Sequence, residues 1–173
     1  MISFESEYKN FNQRLFTLKN VSFLIEFFTY SCLIIFFNLS KFYTIIIGLF
    51  LLAICSFILI SRSKTNIDLI TFQENRIILN GETFNTKWIK SIDIKETYIQ
   101  ILSIGSRQGL RGAIFYLKIK NKEDHYIINS FDTYSDEGII QIFNEFKKFK
   151  EEKIIVDETL ILLRIQEKIE KCQ

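Results

Sequence analysis

The sequence predicts an α+β protein held in a membrane: a transmembrane α-helical hairpin followed by an antiparallel, seven-stranded, partly open barrel capped by a C-terminal helix. Three observations predict it. Two long apolar runs stand close together near the N-terminus, alternating apolar and polar residues with turn signals fill the middle, and a helical apolar period follows Tyr134. At 173 residues the chain has room for about one domain with modest additions, which excludes a large multidomain enzyme. Hydrophobic residues at 48% and charged residues at 24% exclude disorder. With 22 Lys+Arg against 20 Asp+Glu, the net charge of +2 lacks the basic excess of a dedicated nucleic-acid binder.

Residues 1–20 read as a polar-to-amphipathic N-terminal segment. Val21–Phe37 then gives about 17 residues with one charge, Glu26, and Phe42–Ile60 gives about 19 with none. Each run suits a hydrocarbon core, which needs roughly 17–25 helical residues. Asn38-Leu39-Ser40-Lys41 has room only for a tight turn, so residues 21–61 form a two-span hairpin. A pair of strands would leave backbone groups unsatisfied in lipid. A cleaved signal peptide does not fit, because Glu5 and Glu7 precede the run, no small-residue cleavage pattern follows it, and a second span comes next. Lys9, Arg14 and Lys19 before the first span and Arg62 and Lys64 after the second, against Lys41 alone in the turn, place both termini in the cytoplasm. Ile, Phe, Lys and Asn, whose codons are A/T-rich, are abundant and suggest an AT-rich bacterial genome. The expected location is therefore the bacterial inner membrane, as a multi-pass protein.

Residues 62–153 read as a cytoplasmic domain with one core. Strands are expected at Ile67–Gln73, Arg76–Leu79, Thr83–Lys87, Ser91–Glu96, Tyr98–Ser103, Ala113–Lys120 and His125–Asn129. Asn80-Gly81 is expected to make a hairpin turn, since both residue types accept positive φ. Ile139, Ile140, Ile142, Phe143, Phe146 and Phe149 then define one helix face, with Ser135 or Asp132 as N-cap. Residues 154–173 are expected to form a helical extension capped by Asp157, with an apolar stripe of Leu160, Leu163, Ile165 and Ile169.

The opening ITFQENRIILNGETFNTKW, the Trp88-Ile89 to Ile92 stretch, the later hairpin YLKIKNKEDHYIIN and the helix TYSDEGIIQIFNEFKKF resemble the bacterial pleckstrin-homology-like (PH-like) membrane proteins of the YcxB type. The resemblance covers roughly residues 22–150. It implies a two-span hairpin joined to a PH-like domain, and it makes lipid head groups an expected ligand class.

Gly105-Ser106-Arg107-Gln108-Gly109-Leu110-Arg111-Gly112 places two arginines among three glycines, and turned backbone beside guanidinium groups can hold an anion. Gly105, Arg107, Gly109, Arg111 and Gly112 are thus the candidate ligand-binding residues. Solvated arginines on a turn are the stronger reading, because the loop lacks a phosphate fingerprint. Lys147, Lys148, Lys150 and Lys153 complement a helix C-terminus and, if turned to a bilayer, would orient the domain. Glu26 lies about 7 Å of helix rise into the first span, close enough to interfacial water to snorkel, or else to make an intramembrane polar contact with Tyr30 or Ser56 of a neighbouring helix or with a partner protein. His125 stands without a second histidine, and Cys32, Cys55 and Cys172 have neither disulfide-framework nor zinc spacing. No catalytic or metal-binding motif occurs, so neither an enzyme nor a cofactor is expected.

The sequence therefore reads as a non-catalytic membrane protein displaying a binding module for a protein, a peptide or anionic lipid head groups. The alternative is a membrane-embedded immunity protein that neutralises a cognate toxin. Homo-oligomers are compatible with either.

Overall fold

The computed structural model describes residues 1–38, 41–105, 109–122, 124–129 and 131–172. Among them the chain forms seven strands and five α-helices: β1 Ile2–Glu5, α1 Phe11–Leu15, α2 Leu18–Asn38, α3 Lys41–Ser63, β2 Thr65–Gln73, β3 Arg76–Thr83, β4 Thr86–Asp93, β5 Thr97–Ile104, β6 Ile114–Asn121, β7 Asp124–Ile128, α4 Asp136–Phe149 and α5 Val156–Cys172. They divide into two compact units. One contains residues 1–8 and 66–173, the other residues 9–65.

The first unit is α+β, with sheets ordered β1-β2-β3-β4 and β5-β6-β7. The strands thus make two separate antiparallel sheets where one partly open barrel was expected. Facing residues such as Ile70, Phe72, Ile77, Leu79, Ile99, Leu117 and Ile119 form a common core. Two stacked sheets leave an end of that core uncovered, and α4 covers it with Ile139, Ile142, Phe143 and Phe146, all fully buried. Phe149 stacks on Phe72 at 5.6 Å, and Phe72 meets Phe4 edge-on at 6.1 Å, so helix, central strand and edge strand share one aromatic column.

The first eight residues of the N-terminal segment belong to the first unit. Ile2 and Phe4 alternate with Ser3 and Glu5, and this period of two forms β1, which pairs antiparallel with β2 from Ile2↔Phe72 to Glu5↔Leu69. The helical unit is therefore inserted between neighbouring strands of one sheet.

Asn80-Gly81 is not a turn. Both residues lie inside β3, where Gly81 is opposite Trp88 of β4. A Cβ at Gly81 would sit 2.4 Å from the Trp88 ring and 2.5 Å from the Asn66 carbonyl oxygen. The glycine is required by close approach, and the reversal comes at Phe84-Asn85, where Phe84 takes φ 56°. The expected strand Thr83–Lys87 therefore straddles the reversal, and its Thr86 and Lys87 run on through Ser91–Asp93 of the next expected strand as the single strand β4.

Ser135 caps α4 by accepting a hydrogen bond from the Gly138 amide at 3.0 Å. At the other end, Glu151 adopts φ 56° while the Glu152 and Glu151 amides donate to the Lys147 and Lys148 carbonyls, the double bond pattern of a Schellman stop. The chain reverses there and α5 runs back along α4. Residues 154–173 are thus part of the α+β unit, with Ile165 fully buried in its core. The stripe is rotated from expectation: Ile161, Leu162 and Ile169 join Ile165, whereas Leu160 and Leu163 face solvent. Glu158, not Asp157, caps α5, its carboxylate accepting from the Ile155 amide at 3.0 Å.

In the second unit, α1 opens on a capping box made by Asn10 and Gln13. Its Arg14 is buried and donates to the Ser63 carbonyl oxygen at 3.1 Å, satisfying an end group of α3. Asn20 donates to the Arg14 carbonyl oxygen and to Ser63 Oγ, joining the start of α2 to the same point. Ile46–Ser63 of α3 is the one stretch among the described residues long and apolar enough to cross a membrane. The expected first span falls on α2, where the side chains of residues 34–38 lie outside the described residues, as do residues 39 and 40 of the expected turn.

Three stability outcomes follow. Gly81→Ala should destabilise by about 1–3 kcal/mol, because the backbone of Asn66 cannot yield to the added methyl. Phe143→Ala should cost about 3–5 kcal/mol through lost burial and a residual cavity. Gly105→Ala, with open space around it, should leave stability nearly unchanged. Denaturant unfolding of the full chain in detergent, followed by the fluorescence of the single tryptophan, Trp88, measures all three.

Candidate functional site

The β7–α4 connection is organised by one buried side chain. Asn129 sits at φ 68°, which asparagine tolerates better than most residues. Its amide group donates to the Phe115 carbonyl oxygen at 2.8 Å, and its side-chain oxygen accepts from the Thr133 and Tyr134 amides at 2.7 and 2.8 Å. The Thr133 carbonyl then receives the Glu7 amide at 2.8 Å, so the segment leaving β1 is stitched to this connection.

Between them lies a polar cleft of about 570 Å³, lined by Glu5, Glu7, Asp132, Thr133, Tyr134, Ser135, Asp136 and Lys168. Four carboxylates face one ammonium, and that ammonium is already engaged: Lys168 pairs with Asp136 at 2.8 Å and donates to the Ala113 carbonyl oxygen at 2.9 Å. Burial, followed by the negative charges of Asp68 and Glu5, pushes the Tyr134 hydroxyl far above the usual tyrosine range. The Thr133 hydroxyl is buried and has no hydrogen-bond partner. The cleft has the electrostatic character to take a cationic group.

The expected anion loop fares differently. Gly105 is exposed just past β5. Arg107 lies outside the described residues, as does the side chain of Arg111. Gly109–Gly112 form a short 3-10 turn whose Leu110 packs on the core. The exit of the loop is fastened by the Ala113 amide to Leu110 and by Lys168 to Ala113. Gly109 and Gly112 thus bound a turn whose exit is tied to the core and to α5.

Glu26 is exposed on α2 and accepts from the Ser22 hydroxyl at 3.3 Å. The Tyr30 side chain lies outside the described residues, and Ser56 lines an apolar groove of about 310 Å³ between α2 and α3 with Phe28, Leu52 and Cys55. His125 is exposed on β7. Among the described residues no group of three His, Cys, Asp or Glu side chains could hold a metal.

The lysine cluster at the end of α4 is largely spent inside the protein. Lys147 is buried and reaches Glu158 of α5 at 2.8 Å and Glu152 at 3.5 Å. Lys150 bonds Glu152 and donates to the Thr97 carbonyl oxygen at 2.6 Å, and Lys148 lies 3.7 Å from Glu145. Lys147 and Lys150 fix α5 and β5 to α4, whereas Lys148 and Lys153 are exposed. Burial depresses the Lys147 ammonium, but the hydrogen bond and charge of Glu158 outweigh it and hold the group above the ordinary lysine value. The hydrogen bond from Lys150 holds Glu152 below the ordinary carboxylate value.

Across the seam between the sheets, Lys90 of β4 meets Asp124 of β7 at 2.6 Å while Trp88 lies 6.5 Å from Tyr126. The hydrogen bond between them raises Lys90 and lowers Asp124 relative to their usual values. Both charges are half exposed, so the pair marks the seam more than it stabilises it.

No protein-family model matches the chain, and no curated protein matches it.

Glu158→Ala should destabilise by about 3 kcal/mol, since it leaves Lys147 buried with a poorer partner. Lys147→Met together with Glu158→Leu should recover most of that loss, and a double-mutant cycle on unfolding measures it. The clamp also sets a pH window. The contribution of Glu152 is present above its unfolded value and lost as pH falls through its lowered folded value. That of Lys147 is present below the unfolded lysine value, near 10.4, and lost only as pH rises through a higher one. Stability should therefore fall below about pH 4, at carboxylate titration, and again above about pH 10.

Proposed function

We propose that the protein is a non-catalytic bacterial inner-membrane protein of the PH-like, YcxB-like type, in which α2 and α3 cross the membrane as a hairpin and the α+β unit is a cytoplasmic binding module. Connectivity carries this reading. Residue 8 and residue 66 belong to the same unit, and β1 and β2 on either side of the insert pair with one another. A segment that leaves and re-enters one folded domain must begin and end on one side of a membrane. If α3 crosses once, an odd number of spans is forbidden, and α2, at 21 residues, is the helix available to cross back. Leu49, Phe50 and Phe57 of α3 are 65%, 65% and 73% exposed, a surface suited to lipid and not to water. The basic residues flanking the insert then orient both termini to the cytoplasm.

The module binds, in this reading, a protein or peptide segment carrying a cationic side chain, because its cleft is bounded by Glu5, Glu7, Asp132 and Asp136. An anionic head group would be repelled there.

Single cysteines at Ser3, Ser40 and Gln173, in a chain lacking its native cysteines, test the topology in sealed vesicles. Ser3→Cys and Gln173→Cys should react from the cytoplasmic side and Ser40→Cys from the outer side. Reaction of Ser3→Cys and Gln173→Cys from opposite sides would refute the hairpin. For the cleft, a lysine-rich peptide should bind the full chain more tightly than a glutamate-rich one, and Glu5→Gln with Asp132→Asn should weaken it several-fold. Equal binding of both peptides would remove the cleft from the account.

A further inference from the structure

The outward face of α5 carries a feature that the proposed binding function does not use. Val156, Leu160 and Leu163 are 76%, 55% and 54% exposed. Spaced four and three residues apart, they fall within about 60° of one another on a helix. Ile165 lies on the opposite face, fully buried, so α5 is apolar on both sides. Ile154 and Ile155, also exposed, extend the ridge at its start. A continuous apolar ridge on an otherwise polar surface marks a contact.

We propose that this ridge is the contact through which two copies of the chain associate, their α5 helices packed antiparallel about Leu160. Charge selects this occupant. Asp157 and Arg164 are exposed, stand on the same flank of the ridge, and have no ion-pair partner among the described residues. In an antiparallel pair centred on Leu160, each flank meets the same flank of the other helix, which brings Asp157 against Arg164 of the second copy, and Arg164 against its Asp157. The pairing is self-complementary, as a two-fold contact requires. A parallel pair would leave both charges unmatched. Past Leu163 the line of the ridge becomes charged, with Glu167 and Glu170 beside Arg164 and Lys171, so the face is short and mixed in charge, unlike the Lys/Arg-rich polar side of a helix lying on a membrane. The proposal does not depend on the membrane reading.

The test is the association state of the full chain in detergent, measured by analytical ultracentrifugation over a concentration series. The wild type should show a monomer–dimer equilibrium. Leu160→Glu should weaken it more than tenfold while leaving the unfolding transition in place, since the site is exposed. Asp157→Arg should weaken it several-fold, and Asp157→Arg combined with Arg164→Asp should restore it. In a chain without native cysteines, Leu160→Cys should form a disulfide dimer under mild oxidation and Gln166→Cys should not. A wild type that stays monomeric overturns the proposal. So does a dimer that survives Leu160→Glu, or a double reversal no better than the single one.

Discussion

The antiparallel pairing of β1 with β2 is the constraint on which the molecule's organisation rests. Ile2–Glu5 before the helical unit lie side by side with residues 69–72 after it in one sheet, with Phe4 of the edge strand against Phe72 of the next. The apolar helices are thereby an insertion into an α+β domain and not a leader ahead of it. That arrangement fixes the parity of any membrane crossing, and it makes the α+β unit dependent on residues that a boundary drawn after the helices would discard.

A second dependence runs through the C-terminal helices. The two sheets cannot close their own core, and α4 supplies the missing wall through Phe143 and Phe146. The reversal at Glu151 then lays α5 on α4, where two lysines hold it from opposite partners: Lys147 of α4 to Glu158 of α5, and Lys168 of α5 to Asp136 of α4. Asp136 and Lys168 also wall the acidic cleft, and Asn129 shapes its floor. The cleft and the helical clamp therefore share residues, so loosening α5 should reshape the cleft.

Much of this was legible in the residues. The apolar runs, the α4 face with its Ser135 cap, and strands β2, β5, β6 and β7 follow from periodicity and capping chemistry. Gly81 was misleading, because a glycine needed for a tryptophan ring and a glycine needed for a turn look alike in one dimension. The four-residue alternation of β1 was visible but too short to stand out ahead of a helical insert. The α5 stripe was rotated because Ile161, Leu162, Leu160 and Leu163 give an apolar pattern nearly all round, and only the positions of Glu158 and Lys168 show which side meets α4. The cleft was not legible at all, since Glu5 and Asp132 are far apart in sequence and meet only through the β1 pairing.

The most direct test of the account is amide hydrogen exchange on the full chain in detergent, resolved to residues 2–5 and 69–72. The pairing predicts protection at the inter-strand amides of both segments, with the protection of 69–72 reduced when residues 1–5 are deleted. Exchange of residues 2–5 at the rate of an unstructured peptide, with 69–72 unaffected by the deletion, would contradict it.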